Sequence, residues 1–300
     1  MKINVGIVGF GNLGKALANQ IENSDLFNLV AIFSRRNLEE TIPLEKIIDY
    51  KDKIDILFLC SGSQNDLELQ ASKLIKHFNI IDCYDNHIRL ENYVNKINLL
   101  AQKYNHVAMC AFGWDPGLFS LIRGLFSGLG FSPHTFWGKG TSQGHTQAIK
   151  QIEGVVDAIQ FTIPNNFTIE QIHKGYDFNH TQTHIRECYV VCNENDEERI
   201  KNQITSMPHY FKGYETNVHF ITQEELNSMK SFSHKGMVTT KNKTLNFSLE
   251  MNSNPDFTAN IMINFARIIH KLSHEKMFGA YTIFDLPINN LLKENKFDFL

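Results

Sequence analysis

The sequence predicts an α/β protein: a Rossmann-type, doubly wound parallel sheet followed by a second, α+β domain. Three observations carry this expectation. From Lys2 to about Gly117, short apolar runs alternate with helix-length segments, the pattern of a parallel sheet covered on both faces. The chain opens INVGIVGFGNLG, which sets Gly9, Gly11 and Gly14 in G-x-G-x-x-G spacing between a strand and a helix. From about Leu118 to Met251 the apolar runs lengthen, as in an α+β unit built on a mixed or antiparallel sheet.

The strands of the first domain are read at VGIVG, LVAIF, IDILFLC, FNIIDC and HVAMCAFG. Those of the second are read at HTFWG, VVDAIQFTIP, HIRECYVVC, YETNVHFIT and TLNFSLEM. Two helices are expected among the latter, one near Thr146 to Ile152 and one following the acidic NENDEER through Met207. After Asn254-Pro255-Asp256, the stretch FTANIMINFARIIHKL puts Phe257, Ile261, Phe265, Ile268 and Leu272 at helical spacing, an amphipathic helix capped by Asp256. The domains are therefore expected at 1–117, with 255–300 packing back on it, and at 118–254.

The 300 residues are 42% hydrophobic with a formal net charge of -3, enough apolar material for a sizeable core and no basic field for nucleic acid or anionic lipid. The N-terminus lacks a signal-peptide pattern, and no run approaches the roughly 18 apolar residues of a membrane span. A cytoplasmic protein with a small soluble partner is expected, without nucleic acid or membrane. Cys60, Cys83 and Cys110 lie in or just after strand-like runs, where cysteine behaves as a small hydrophobe. Cys188 and Cys192 share a strand face, but no residue pair complements them at zinc-ligand spacing, so no metal is expected.

Gly9-Phe10-Gly11-Asn12-Leu13-Gly14 has the context of a dinucleotide-binding turn. The first glycine permits the turn, the second lets a diphosphate approach the backbone, and the third allows close helix-to-strand packing. The second strand then ends in Phe33-Ser34-Arg35-Arg36, where an acid would bind the ribose 2'-hydroxyl of NAD. Arginines there instead make charge-assisted bonds to a 2'-phosphate, with Ser34 adding a hydroxyl, so the expected cofactor is NADP.

Two carboxylates stand just past later strands, Asp85 in IDCYDNH and Asp115 in AFGWDPG. Ligands of open parallel sheets bind outside the carboxyl ends of strands, so both are catalytic candidates. Asp-Asn-His and Asp-Pro-Gly are also ordinary turn sequences, and Asp82 is available to cap the first of these loops.

Taken in order, GFGNLG, FSRR, YDNH, GWDPG, HTFWGKGTSQGH, QFTIP, THIRECYVV, MPHYFKGYE and NPDFTA make the chain resemble the meso-diaminopimelate dehydrogenase family. The resemblance implies NADP-dependent oxidative deamination at the D-centre of meso-2,6-diaminopimelate and a homodimer formed through the second domain. It places Asp85 and Asp115 at the reacting amine, with Trp137, Gln143 and Gly144 nearby. Thr162, Arg186 and His234 would hold the distal end, and Asn254 would also touch substrate. The cofactor set would comprise Gly9 to Gly14, Ser34 to Arg36, Cys60, Ser61, Gly62, Ser63, Cys83, Tyr84, Asp85, Phe112, Gly113, Trp114, Asp115 and Pro116. The chain departs from the pattern at His234-Lys235-Gly236, where the resemblance implies His-Gly-Gly.

Overall fold

The computed structural model describes residues 2–62, 66–193, 196–229, 234–292 and 294–300. Contacts divide the chain into two compact units, 1–121 with 254–300, and 122–253.

The first unit holds β1 (Ile3–Val8), α1 (Asn12–Glu22), β2 (Phe27–Ser34), β3 (Ile42–Pro43), β4 (Ile56–Leu59), α2 (Leu67–Leu74), β5 (Asn79–Asp82), α3 (Leu90–Tyr104) and β6 (Val107–Met109). At Leu118–Gly128, α4 carries the chain into the second unit. That unit contains β7 (Pro133–Trp137), β8 (Gly140–Thr141), α5 (Gln143–Lys150), β9 (Val155–Pro164), α6 (Asn166–His173), β10 (His184–Cys192) and α7 (Glu197–Ser206). It continues through β11 (Glu215–Phe220), α8 (Gln223–Ser228), β12 (His234–Thr240) and β13 (Asn246–Met251). Finally α9 (Asn254–His274) and β14 (Gly279–Tyr281) rejoin the first unit.

Among the described residues the first unit has one seven-stranded sheet in the order β14-β6-β5-β4-β1-β2-β3, with every pairing parallel. The strand order reverses between β1 and β4, the switch point at which ligands of such sheets bind. Both sheet faces are covered, which explains why β4 reads ILFL without alternation. Ile56 and Phe58 enter one core with Leu17 and Ile21 of α1 and Met262 and Phe265 of α9. Leu57 and Leu59 enter the other, with Leu74 of α2 and Tyr93 and Ile97 of α3. Truncating such a residue to alanine costs about 2 to 5 kcal/mol.

The second unit has a four-stranded mixed sheet, β11-β10-β9-β8, and a three-stranded antiparallel sheet, β13-β12-β7. Ile149, Ala158, Cys188, Val190, Ile200, Ile204 and Phe211 form the core between the four-stranded sheet and helices α5 and α7. Among the described residues no helix is long and apolar enough to cross a membrane.

Several elements differ from expectation. The helix expected near 146–152 runs Gln143–Lys150, because Ser142 in extended conformation starts it earlier. Helix α9 begins at Asn254, which puts Asp256 inside its first turn instead of at the cap. Its buried stripe runs through Ala259, Met262, Phe265, Ala266, Ile269 and Leu272, while Phe257 and Ile261 are only half-buried. Helices α4, α6 and α8 and strands β3, β8, β12 and β14 lie outside the expected set. In α4, Phe119 and Phe126 lie seven residues apart and are both buried, a helical interval.

Candidate active site

The glycine turn lies at the switch point between β1 and β4. Gly9 has φ +98 and donates its N–H to Phe33 at 2.8 Å, which brings the turn against the end of β2. A Cβ on Gly14 would lie 2.1 Å from the Gly9 oxygen, so only glycine lets α1 start this close to the strand. A Cβ on Gly11 would meet nothing within 4 Å, leaving the helix N-terminus open for an anion to approach the backbone. A cavity of ≈ 170 Å³ is lined here by Gly9, Gly11, Ser34, Arg35, Arg36 and Ser61, among others. Arg36 donates to the Phe10 carbonyl at 2.8 Å, and Ser34 Oγ accepts the Arg36 N–H at 3.0 Å. Arg35 is held in a bidentate pair by Asp66, at 2.8 and 2.5 Å. Turn, open helix end and arginines together fit a dinucleotide that carries a 2'-phosphate.

Asp85 and Asp115 follow neighbouring strands of the same sheet, β5 and β6. The loop after β6 closes on itself, with Gly113 donating to the Pro116 carbonyl at 2.9 Å and Leu118 to Gly113 at 3.1 Å. Ser120 Oγ donates to Asp115 Oδ1 at 3.5 Å. The two loops touch, since a Cβ on Gly113 would lie 3.6 Å from Cys83 Cβ. Burial pushes the Cys60 thiol well up and the Cys83 thiol up to about 12, so neither is a thiolate nucleophile at neutral pH. At the start of α9, Asn254 Oδ1 accepts the Thr258 hydroxyl at 3.0 Å.

In the second unit, Thr162 and Arg186 come together. Thr162 and Arg186 are register partners on β9 and β10, and Arg186 Nη1 donates to Thr162 Oγ1 at 2.6 Å. The guanidinium stacks 4.3 Å over the Tyr214 ring. Its Nε has no hydrogen-bond partner among the described residues although it is buried, which leaves donor capacity suited to a carboxylate. Gly138, at φ +103, lies so close to β9 that a Cβ would sit 2.0 Å from the Thr162 oxygen, which holds the chain just after Trp137 against β9.

Comparison with known proteins then decides the family. Residues 113–254 match the diaminopimelic acid dehydrogenase C-terminal domain. The meso-diaminopimelate D-dehydrogenase of Acetivibrio thermocellus is 44% identical, covering 95% of this chain and 93% of that protein. The solved structure of C. glutamicum diaminopimelate dehydrogenase in complex with diaminopimelate aligns with a TM-score of 0.92 at 37% identity, over 99% of this chain and 98% of that one. An engineered D-amino acid dehydrogenase bound to NADP+ aligns with a TM-score of 0.86 at 35% identity, over 100% and 98%.

The chain belongs to the meso-diaminopimelate D-dehydrogenase family.

Against the pattern of this family, the Lys235 departure has a structural account. His234 and Gly236 face one side of β12, while Lys235 is exposed on the other and pairs with Glu250 of β13 at 2.6 Å. The Lys235 carbonyl accepts Gly138 N–H at 2.9 Å, so the lysine is absorbed without disturbing the strand. Gln143 and Gly144 are exposed in the first turn of α5. Ser63 lies outside the described residues.

Sequence reading missed His184, Tyr214 and Asp66. His184 was within reach, since it stands two residues before Arg186 on one strand and so shares its face. Tyr214 and Asp66 approach through space, from beside β11 and from the start of α2, and neither carries a local motif. His184 and His145 are each held down to about 3, first by burial and then by the Arg186 charge. Both are neutral near pH 7, so neither competes with Arg186 for an anion.

Proposed function

We propose that this chain catalyses the NADP-dependent, reversible oxidative deamination of meso-2,6-diaminopimelate at its D-centre. Together with water and NADP, the substrate gives L-2-amino-6-oxopimelate, ammonium and NADPH, a step in supplying lysine and cell-wall precursor. The match at 44% identity over 95% of the chain carries this reading, because a match of that extent runs through both units.

Bound against the glycine turn, NADP supplies the hydride acceptor. Arg35 and Arg36, now bonded to Asp66 and the Phe10 carbonyl, would hold the 2'-phosphate. The remaining strand-end residues, Cys60 to Gly62, Cys83 to Asp85 and Phe112 to Pro116, would flank the rest of the cofactor. Hydride departure from an amine-bearing carbon leaves positive charge on nitrogen. Fixed carboxylates at Asp85 and Asp115 stabilise that charge as it develops. A carboxylate or an ordered water accepts the amine's proton before water attacks the iminium carbon. Arg186 and Thr162 take the distal carboxylate, and with Trp137, Gln143, Gly144, His234 and Asn254 they set which carbon is presented for reaction. The second unit also forms a homodimer interface, and the enzyme works in the cytoplasm.

The test is spectroscopic: purified protein with NADP and meso-diaminopimelate, followed by NADPH absorbance, with the L,L-isomer and NAD as controls. NADPH growth specific to the meso isomer is expected. Cofactor binding without turnover of the meso isomer would instead favour a non-catalytic NADP-sensing protein.

A further inference from the structure

Asp82, the last residue of β5, is fully buried, and hydrogen bonds converge on both its carboxyl group and its backbone oxygen. Its Oδ1 accepts the backbone N–H groups of Tyr84 at 3.0 Å and Ala111 at 2.9 Å. Its Oδ2 accepts the Tyr93 hydroxyl at 2.5 Å, and its backbone oxygen accepts the Phe112 N–H at 2.8 Å. A turn cap would need only the bond to Tyr84, two residues along the same loop. The bonds to Ala111 and Phe112 cross to the chain leaving β6.

Ala111 has φ 66, a left-handed conformation that a residue with a Cβ keeps only when its surroundings over-determine it. The grip of Asp82 on residues 111 and 112 provides that constraint at the root of the loop bearing Asp115. On the other strand, Tyr84 is held by the same oxygen immediately before Asp85. Behind the carboxyl group, Tyr93 of α3 stacks on Tyr84 with ring centroids 4.1 Å apart. The Tyr93 pKa is driven well up by burial and by Asp82, so the hydroxyl keeps the proton it donates. Removing one partner from such a buried polar network leaves the others unsatisfied, which is costlier than never having built it.

We infer that Asp82 is a positioning residue for the proposed reaction: it fixes the roots of the β5 and β6 loops against each other and thereby sets where Asp85 and Asp115 stand. The inference rests on reading those two carboxylates as the groups at the reacting amine.

Two variants test it. Asp82→Asn keeps one acceptor oxygen but puts an amide donor where Oδ2 accepts from Tyr93, and Tyr93→Phe removes the hydroxyl alone. Hydrogen exchange is followed by mass spectrometry in peptides covering 83–89 and 111–118. In Asp82→Asn both peptides should exchange about 10-fold faster, with β1 and β4 unchanged. The kcat for meso-diaminopimelate at saturating NADP should fall about 10-fold or more, and the Kd for NADP, whose site these loops also flank, should rise by less, the split expected when reacting groups are misplaced while the glycine turn and the arginines still hold the cofactor. If Asp82→Asn does not fold, Tyr93→Phe should give the same pattern at about 3-fold. Unchanged exchange at 111–118 would overturn the inference, since Asp82 would then be a local cap of its own loop. So would faster exchange spread evenly over the sheet with kcat retained. A wild-type protein inactive on the meso isomer would sink the functional reading separately, and the exchange result would still decide whether Asp82 couples the two loops.

Discussion

His184 Nε2 accepts the backbone N–H of Trp137 at 2.6 Å, so a buried imidazole on β10 fixes the end of β7. The ring must therefore carry its proton on Nδ1, which donates to Thr183 Oγ1 at 2.8 Å, and that hydroxyl donates on to the His180 carbonyl at 2.6 Å. This chain of bonds exists only while His184 is neutral.

Acid should consequently destabilise the protein through this group. His184 and His145 are held to about 3 when folded, against about 6.5 for an unperturbed histidine. Above about pH 6.5 both are neutral in either state and contribute no pH dependence. As pH falls from there towards 3, the unfolded chain takes up protons that the folded one refuses, and each group lowers stability by about 1.4 kcal/mol per pH unit. Urea denaturation at pH 7.5, 6 and 5 should show a shallower decline in His184→Gln than in wild type. Parallel declines would mean that His184 titrates normally when folded.

The cofactor prediction concerns Arg35 and Arg36. Each charge-assisted bond is worth about 1.5 to 3 kcal/mol, or roughly 10- to 100-fold in affinity. Arg35→Gln with Arg36→Leu should weaken NADP by at least that factor and NAD much less. Glutamine is preferred to glutamate at 35 because Asp66 lies within 2.8 Å of the guanidinium, and a second carboxylate there would add repulsion unrelated to the phosphate. Titration of both nucleotides by calorimetry decides, and equal losses would remove the pair from 2'-phosphate recognition.

Much of the first unit was legible because its strands are short apolar runs separated by helices, and the glycine turn has a spacing that few other structures need. β14 was not, since Gly279–Tyr281 is a strand only by pairing with β6. In the second unit, α8 carried a readable signal in Thr222-Gln-Glu-Glu225. Its capping box is present, with Glu225 N–H donating to Thr222 Oγ1 at 3.2 Å and Thr222 N–H to Glu225 Oε2 at 2.8 Å. The helix is only six residues long, too short for periodicity to reveal it. Asp82 read as a loop cap, which it is. Its hold on Ala111 joins residues 29 apart in sequence, a distance at which no local pattern operates.

Asp115 is tested by Asp115→Asn, which keeps the side chain's shape and an acceptor for Ser120 while removing the charge. If the carboxylate stabilises developing positive charge, kcat should drop by at least about 10-fold with little change in NADP affinity. Steady-state kinetics and nucleotide titration on one preparation separate these terms. Full kcat in the variant would return Asp115 to a turn-forming role in the Gly113–Gly117 loop.

Arg186 gives the sharpest test of substrate registration. Its guanidinium is braced from two sides, by Thr162 Oγ1 at 2.6 Å and by the Tyr214 ring at 4.3 Å, so little rotamer freedom remains to be lost on binding. Arg186→Met keeps most of the apolar stem and the contact with Tyr214 but deletes the fork. A carboxylate deprived of its charge-assisted partners should cost about 2 to 4 kcal/mol in kcat/KM for meso-diaminopimelate, roughly 30- to 1000-fold. A simple D-amino acid with no distal carboxylate never uses the fork, so its kcat/KM should fall far less. The ratio of the two losses is the quantity to measure, because damage to β10 or to its pairing with β9 would lower both substrates alike. Equal proportional losses would make Arg186 a structural brace between Thr162 and Tyr214, and the distal-carboxylate role would have to be given up.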